Sequence, residues 1–233
     1  MNAVLPNSAR FMLWIDGVGG YLVCERAAVV FGRPSSSVRP FLPGVGGSSS
    51  EKSEVDIAVM ADVSRRHAEL ARVGEHYRFR PLKRGCFVDG AAVNESAWVG
   101  DGAMLELGDS DSKSGDRSGG GTSRGPRWKF RFPQSFGLTA RLEPASSHRL
   151  QPHADGILLL ADTCLIGPEN DAHLPAPDWR RTLVLHRRPD GSLVFRADGS
   201  YDVDGRRLKG AVTIHHASQI RADDFLLQLE PLP

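Results

Sequence analysis

The sequence predicts an all-β protein made of two β-sandwich domains in tandem. Apolar residues occur in short runs or alternate with polar ones, which is the pattern of buried and half-buried strands. Gly-rich and Asp-Gly turns separate these runs at close intervals. No stretch carries the apolar periodicity of an amphipathic helix longer than two turns. The order of the elements in the first half returns in the second, which predicts an internal repeat.

The composition is that of an ordinary globular protein, and it narrows the possible functions. The chain has 233 residues, enough for one large domain or two small ones. Its formal net charge is only +1, so we expect no nucleic-acid partner. The cysteines Cys24, Cys86 and Cys164 are few and far apart, which argues against a disulfide framework and a structural zinc site. We see neither a signal-peptide pattern nor an apolar run of ~20 residues, so we expect a cytoplasmic protein without a membrane partner.

Turn-forming residues divide the first half into short strand patterns. The Gly-rich stretch 16–20 joins the first two strands and predicts a hairpin. Asp89-Gly90 joins two later strands and predicts a type I′ hairpin. The last pattern, 128–132, alternates cleanly and is typical of a strand that closes a sandwich. The candidate strands cover residues 11–15, 21–24, 29–31, 55–60, 68–71, 76–80, 87–88, 92–93 and 128–132.

Two stretches of the first half predict long loops. Residues 34–54 are rich in Pro, Ser and Gly and show no apolar periodicity. Residues 109–126 contain Ser, Gly, Asp, Arg and Lys with no large apolar side chain to bury. Both are expected to be solvated insertions between strands.

The turn Ser64-Arg65-Arg66-His67 has four polar or charged side chains in consecutive positions. It offers a hydroxyl, two guanidinium groups and an imidazole directly before the half-buried strand that begins at Ala68. Guanidinium forks and a hydroxyl donor are suited to binding an oxyanion, of which phosphate is the commonest. The alternative is an ordinary basic turn in which Ser64 caps its own backbone and Arg66 faces solvent.

From Gly156 onward the pattern of the first half returns with little identity. Pro168, Trp179 and Thr182 fall at the positions of Arg33, Ser64 and His67, and each change removes a donor. The strand patterns are therefore retained in the second half, whereas the basic motif is lost. We expect a linker at 136–155 and a degenerate copy of the first domain over 156–233. The matched stretches are 165–168 with 31–33, 178–182 with 63–67, 193–196 with 77–80, 199–205 with 85–90, and 223–229 with the closing strand.

Four motifs of the first half stand in the order found in a known family. They are Gly32-Arg33, the Ser64–His67 turn, a Gly-x-x-Val-x-Gly hairpin from Gly85 to Gly90, and Gly-Asp-x-x-x-Leu from Gly100 to Leu105. Residues 10–133 thereby resemble the forkhead-associated (FHA) domain. The resemblance implies an FHA/SMAD-like β-sandwich over residues 8–135, with its loops binding phosphothreonine peptides.

The resemblance also implies a role for each candidate site residue. Arg33 and Ser64 match the positions that contact the phosphate, and Arg65 matches a helper position. His67 matches the family histidine that braces the loops. Arg84-Gly85-Cys86 stands where the family usually has Asn-Gly-Thr, so the amide that orients the peptide is replaced by a cation, with Lys83 beside it. The candidate binding residues are Arg33, Ser64, Arg65, Lys83 and Arg84, and the candidate supporting residues are Gly32, His67, Gly85, Asp89 and Gly90.

These observations predict a phosphothreonine-binding signalling adaptor whose partners are Ser/Thr-phosphorylated proteins. The alternative is a phosphate-independent protein–protein scaffold in which both domains serve assembly. We expect no enzyme, catalytic residue, metal or cofactor, because the chain shows neither a nucleophile elbow nor a His/Cys metal spacing. The partner protein, the kinase and the oligomeric state are not specified by the sequence.

Overall fold

The computed structural model describes residues 9–34, 55–108, 125–133 and 137–232. Within these ranges the secondary structure is entirely β, with 21 strands and no helix, so the all-β prediction is confirmed. It follows that these ranges contain no helix able to span a membrane. Of the two predicted loops, 35–54 and 109–124 lie outside the described residues.

The strands are numbered in chain order. Their bounds are β1 Arg10–Ile15, β2 Gly19–Cys24, β3 Ala28–Gly32, β4 Ile57–Met60, β5 Ala68–Val73, β6 His76–Pro81, β7 Cys86–Val88, β8 Ala91–Ala92, β9 Ala97–Val99, β10 Met104–Leu107, β11 Arg127–Arg131, β12 Ala140–Pro144, β13 Arg149–Gln151, β14 Gly156–Leu159, β15 Thr163–Gly167, β16 Leu174–Pro175, β17 Leu183–Arg187, β18 Leu193–Val203, β19 Arg206–Ile214, β20 Gln219–Arg221 and β21 Leu226–Pro231.

The first core lies between two sheets. A six-stranded sheet in the order β13-β4-β3-β5-β6-β9 faces the part of a larger sheet that runs β1-β2-β14-β12-β11-β10-β7-β8. Alternation decides which side chains enter, as in β11, where Trp128 and Phe130 are buried between half-buried charged neighbours. Burying each such aromatic side chain contributes about 1.5–3 kcal/mol. This core holds β3 and β5 in place, and the candidate site lies at their ends.

The second half pairs its strands in the same succession as the first. β3 pairs parallel with β4 and antiparallel with β5, which pairs with β6. Likewise β15 pairs parallel with β16 and antiparallel with β17, which pairs with β18. The registers agree as well, because Phe79 lies opposite Leu70 and Phe195 lies opposite Leu185. One difference is that β18 continues as a single strand through a bulge at Ala197–Ser200. In the first half the corresponding stretch is divided into two strands, β6 and β7.

Three central strands serve both cores at once. β1, β2 and β14 lie side by side, and their alternate side chains point to opposite faces. Met12, Leu22 and Ile157 enter the first core, whereas Leu13, Val23 and Leu158 enter the second. The halves therefore share one sheet and its two apolar faces.

The edges of this central sheet are exchanged between the halves. β1 pairs with β21, the last strand of the second half, at Leu13 opposite Leu229. Correspondingly, β12 follows the first half in the chain and pairs with its last strand, β11, at Leu142 opposite Phe130. Each half thus pairs its last strand with a strand from outside that half: β11 with β12, and β21 with β1.

The segment 136–155, expected to be a linker, contributes β12 and β13. Ala140 and Leu142 of β12 and Leu150 of β13 are buried in the first core. The sequence obscures these strands because each is short and places charged residues such as Arg141 and Glu143 between its apolar ones. The first core therefore extends past residue 135.

Candidate functional site

The candidate site forms where three segments of the first half meet at one end of the six-stranded sheet. The Arg33 N–H donates to the Ser64 carbonyl at 3.0 Å, which joins the end of β3 to the turn before β5. The His67 N–H donates to the Phe31 carbonyl at 2.8 Å, a second link between the same segments. The Lys83 N–H donates to the His67 carbonyl at 3.0 Å and brings in the segment between β6 and β7. The backbone alone therefore places Arg33, the Ser64–His67 turn and Lys83 side by side.

Gly32 permits the closest of these approaches. A Cβ atom at this position would lie 1.9 Å from the Arg65 carbonyl oxygen and 2.9 Å from a methyl group of Val55. Real Cβ contacts do not occur at that distance, so only glycine lets the end of β3 lie against the turn. Gly32 supports the site by the space it leaves.

His67 is the residue on which the segments converge. Its side chain is fully buried, and its ring Nδ1 accepts a hydrogen bond from the Ser64 N–H at 3.2 Å. An Nδ1 atom that accepts from the backbone carries no proton of its own, so the ring orders the turn as a neutral imidazole. The backbone carbonyl of His67 also accepts hydrogen bonds from the Leu82 and Lys83 N–H groups. This position suits a residue that holds the turn rather than one that meets a ligand.

The cationic side chains at this place point into solvent. Arg33, Arg65, Lys83 and Arg84 are exposed, and Ser64 is partly exposed. Among the described residues, none of these four cations has an ion-pair partner, and the Ser64 hydroxyl donates to no protein group. The surface thus presents hydrogen-bond donors and positive charge whose partners must come from outside the described part of the chain.

The triplet Arg84-Gly85-Cys86 lies beside the site, where the turn after β6 leads into β7. Gly85 has φ +90°, and its carbonyl accepts from the Gly108 N–H at 2.5 Å. The buried Cys86 thiol lies 3.8 Å from the His67 carbonyl oxygen, and burial raises the pKa of this thiol to about 12. Cys86 is therefore a protonated packing residue at neutral pH, and Arg84 is the exposed member of the triplet.

Asp89 and Gly90 belong to a hairpin next to the site. They have φ +51° and +78°, as a type I′ turn requires. The Asp89 carboxylate accepts from the Met104 N–H at 2.8 Å, which fixes the β7–β8 hairpin to β10. The hydrogen bonds of this hairpin run to β10, whereas those of His67 and Lys83 run to the Ser64–His67 turn and the end of β3. The two residues thus shape the β7–β8 hairpin and tie it to β10, next to the site.

Asp56 and Arg10 form a second support that the sequence analysis did not identify. The Asp56 carboxylate, 6% exposed as a residue, accepts from the Val30 N–H at 2.9 Å. The Arg10 guanidinium donates to the carbonyls of Val55 and Asp56 at 2.8 Å each. These bonds align the start of β4 with β3 just before Arg33. The only signal in the sequence is an acid placed directly in front of an apolar run.

At the corresponding place in the second half, two side chains are paired within the protein. The Arg181 guanidinium pairs with Asp224 at 3.0 Å through Nη2, and its Nη1 donates to the Asp198 carbonyl at 2.6 Å. The Thr182 hydroxyl donates to Glu169, and Trp179 is buried. The side chains of Arg181 and Thr182 are therefore satisfied within the protein, whereas Arg180 is exposed and has no ion-pair partner among the described residues.

The described residues give no support to a metal centre or a reactive thiol. No group of three or more His, Cys, Asp or Glu side chains within them could hold a metal ion. The three cysteines are free and buried.

Comparison with known proteins identifies the family of the first half. The FHA domain family model matches residues 30–108, which contain Arg33, the Ser64–His67 turn and Arg84. Among curated proteins no relative matches the chain. A solved structure entitled "Rv0020c_FHA Structure" is similar at 23% identity with a TM-score of 0.23, covering 46% of this chain and 91% of its own. The family match confirms the FHA domain predicted for the first half, over residues 30–108.

Proposed function

We propose that the protein is a signalling adaptor that binds phosphothreonine peptides through Arg33, Ser64 and Arg65 of its FHA domain. FHA domains are phosphopeptide-binding interaction modules, and residues 30–108 match their family model. The observation that carries the proposal is that backbone hydrogen bonds hold Arg33 beside the Ser64–His67 turn, while the side chains of Arg33, Ser64 and Arg65 have no partner among the described residues.

The chemistry of these side chains supports phosphate as the group that is bound. A phosphothreonine carries roughly −1.5 to −2 charges at pH 7 and three acceptor oxygens. Arg33 and Arg65 each offer a guanidinium fork that can donate to two oxygens, and Ser64 adds a hydroxyl donor. Hydrogen bonds to charged groups contribute about 1.5–3 kcal/mol each, so two or three give an affinity in the micromolar range, about −8 kcal/mol.

For the second half we propose a degenerate FHA-like domain that serves structure or protein–protein contact. Its strand pairings follow the succession found in the first half, which supports common descent of the two. The pairing of Arg181 with Asp224 and of Thr182 with Glu169 supports the loss of phosphate binding there. We assign phosphate recognition to the first half alone.

A peptide titration tests the proposal. The whole chain is titrated with a degenerate phosphothreonine peptide library and with the same library unphosphorylated. We expect binding of the phosphorylated library only, and a loss of tenfold or more, about 1.4 kcal/mol, in Arg33→Ala. Arg206→Ala is the matched control, since Arg206 is an exposed arginine of the second half whose side chain forms no hydrogen bond or ion pair with the described residues.

Equal binding of both libraries would overturn the proposal. The same holds if Arg33→Ala and Arg206→Ala bind the phosphorylated library equally well. The protein would then be a phosphate-independent scaffold, and the basic turn would be a remnant of an older site.

A further inference from the structure

The rim of the candidate site carries more positive charge than one phosphate needs. Five exposed cations, Arg33, Arg65, Arg66, Lys83 and Arg84, lie on the three segments that meet there. Of the two acids that flank the Ser64–His67 turn, Asp62 is exposed and forms no ion pair with these cations, and Glu69 pairs with Arg80. The five cations therefore have no acidic partner among the described residues.

Some arginines elsewhere in the described residues are matched with acids, whereas the five cations of this rim are not. Arg80 pairs with Glu69 at 3.0 Å, and Arg181 pairs with Asp224 at 3.0 Å. The contrast is sharpest for Arg66 and Arg181, which occupy the same place before β5 and β17. Arg181 is neutralised by Asp224, whereas Arg66 has no such partner among the described residues.

Charge counting limits what a single phosphothreonine can neutralise. The phosphate brings about two negative charges, and Arg33 with Arg65 balances them. Arg66, Lys83 and Arg84 are left to repel one another in the complex, unless the peptide supplies more negative charge. A ligand with several anionic groups removes this repulsion.

We infer that the preferred ligand is a phosphothreonine peptide that carries further negative charge next to the phosphothreonine. This inference rests on the proposed function and specifies its substrate class. Lys83 and Arg84 are placed to read that charge, because the Lys83 N–H bonds to the carbonyl of His67, at the end of the phosphate-binding turn. Arg84, the next residue, is an exposed cation as well. Both side chains can therefore attract negative charge on the peptide.

Four peptides of equal length test the inference against the whole chain. The first has phosphothreonine flanked by alanines, the second has glutamates after the phosphothreonine, and the third has a phosphoserine there. The fourth has the glutamates and an unmodified threonine. We expect the second and third to bind about tenfold more tightly than the first, and the fourth not to bind. The advantage should shrink when salt is raised from about 0.05 M to about 0.5 M, because the added charges are exposed and screened.

Variants test whether the rim cations cause the higher affinity for the acidic peptides. In the double variant Lys83→Gln/Arg84→Gln we expect the affinity ratio between the second and first peptides to fall to about twofold. In Arg206→Gln, which changes an exposed arginine far from these segments in sequence, the ratio should stay unchanged. Comparison of the second and third peptides tells whether carboxylates or a second phosphate provide the charge.

The outcomes separate this inference from the proposed function. If no phosphorylated peptide binds, the proposed function fails. If the alanine-flanked phosphopeptide binds as tightly as the acidic ones, only the inference on added charge fails. If the fourth peptide binds as well as the second, the surface recognises acidic peptides in general, and both are overturned.

Discussion

Gly32 determines how closely the end of β3 can approach the turn that carries Ser64 and Arg65. The missing side chain leaves room for the Arg65 carbonyl, which a Cβ would meet at 1.9 Å. The atom in conflict belongs to the backbone, so no rotamer change relieves it. Gly167 has the same place in the second half, where a Cβ would lie 2.7 Å from the Thr182 hydroxyl. Both positions show that glycine is needed wherever this strand end lies against the following turn.

We predict that Gly32→Ala both destabilises the protein and impairs its site. The added methyl group forces the turn away from β3, at a cost of about 1–3 kcal/mol in unfolding free energy. The displaced turn should lose tenfold or more in affinity for a phosphothreonine peptide. Chemical denaturation and peptide titration measure the two effects.

Gly100→Ala provides the matched control for this prediction. A Cβ at Gly100 meets nothing within 4 Å, and its φ lies outside the left-handed region. Its stability should change by about 0.5 kcal/mol or less. Equal behaviour of the two variants would contradict the account of Gly32.

At the scale of elements, two hairpins of the same construction stand in the two halves. Asp89-Gly90 joins β7 to β8, and Asp204-Gly205 joins β18 to β19, with φ values near +50° and +80° in both. The Asp204 carboxylate accepts from the Gln219 N–H at 2.8 Å, as that of Asp89 does from Met104. It accepts a second bond, from the Ser218 hydroxyl at 2.9 Å. In each hairpin the aspartate both adopts the turn conformation and ties the turn to the next strand.

We predict that Asp89→Ala costs about 1–2 kcal/mol in unfolding free energy, because it loses a hydrogen bond and places alanine at positive φ. Asp204→Ala should cost more, since it removes two accepted bonds. Asp89→Asn should be close to neutral, because asparagine keeps the acceptor and tolerates this conformation. Urea denaturation of the three variants measures the order, and a loss in Asp89→Asn equal to that in Asp89→Ala would contradict it.

At the scale of the whole molecule, the central strands couple the two cores. Leu13 and Leu22 lie on adjacent strands of one sheet and are buried in different cores. Neither core can lose these strands without opening the other. The molecule should therefore unfold as a unit although its chain consists of two similar halves.

We predict one unfolding transition reported equally from both cores. Two proteins that retain only Trp128, in the first core, or only Trp179, in the second, should show the same denaturation midpoint by fluorescence. Leu13→Ala faces the second core alone and should cost about 2–5 kcal/mol. It should lower both midpoints equally. A shift confined to the Trp179 signal would show that the halves unfold independently.

The sequence was sufficient for the local features and insufficient for the exchanged strands. The β1–β2 hairpin was predicted correctly, and so was the Asp89-Gly90 turn, because turn chemistry and alternation act over a few residues. The uninterrupted apolar run Phe11-Met12-Leu13 reflects burial on both faces of β1, but the same run fits a strand of a single sandwich. The pairing of β1 with β21 joins residues about two hundred positions apart and leaves no local pattern.

Of the candidate site, too, the sequence predicted some residues and missed others. Motif order pointed to Arg33, Ser64 and Arg65, and the backbone places the three together. The supports Arg10 and Asp56 were missed because each acts through a bond to backbone atoms of a distant segment. The side chain alone reveals nothing of such a bond. Which of the exposed cations meet a ligand remains a prediction for the peptide experiments.

The exchange of edge strands has a consequence for synthesis on the ribosome. The partner strand of residues 10–15 comprises residues 226–231, so it emerges long after them. Until then β1 keeps one open edge and an apolar face with Phe11 and Leu13 uncovered, which is a surface prone to aggregation. A nascent chain released early, or a fragment cut at residue 135, would expose that face. β1 therefore acquires its second neighbouring strand only after β21 has been synthesised.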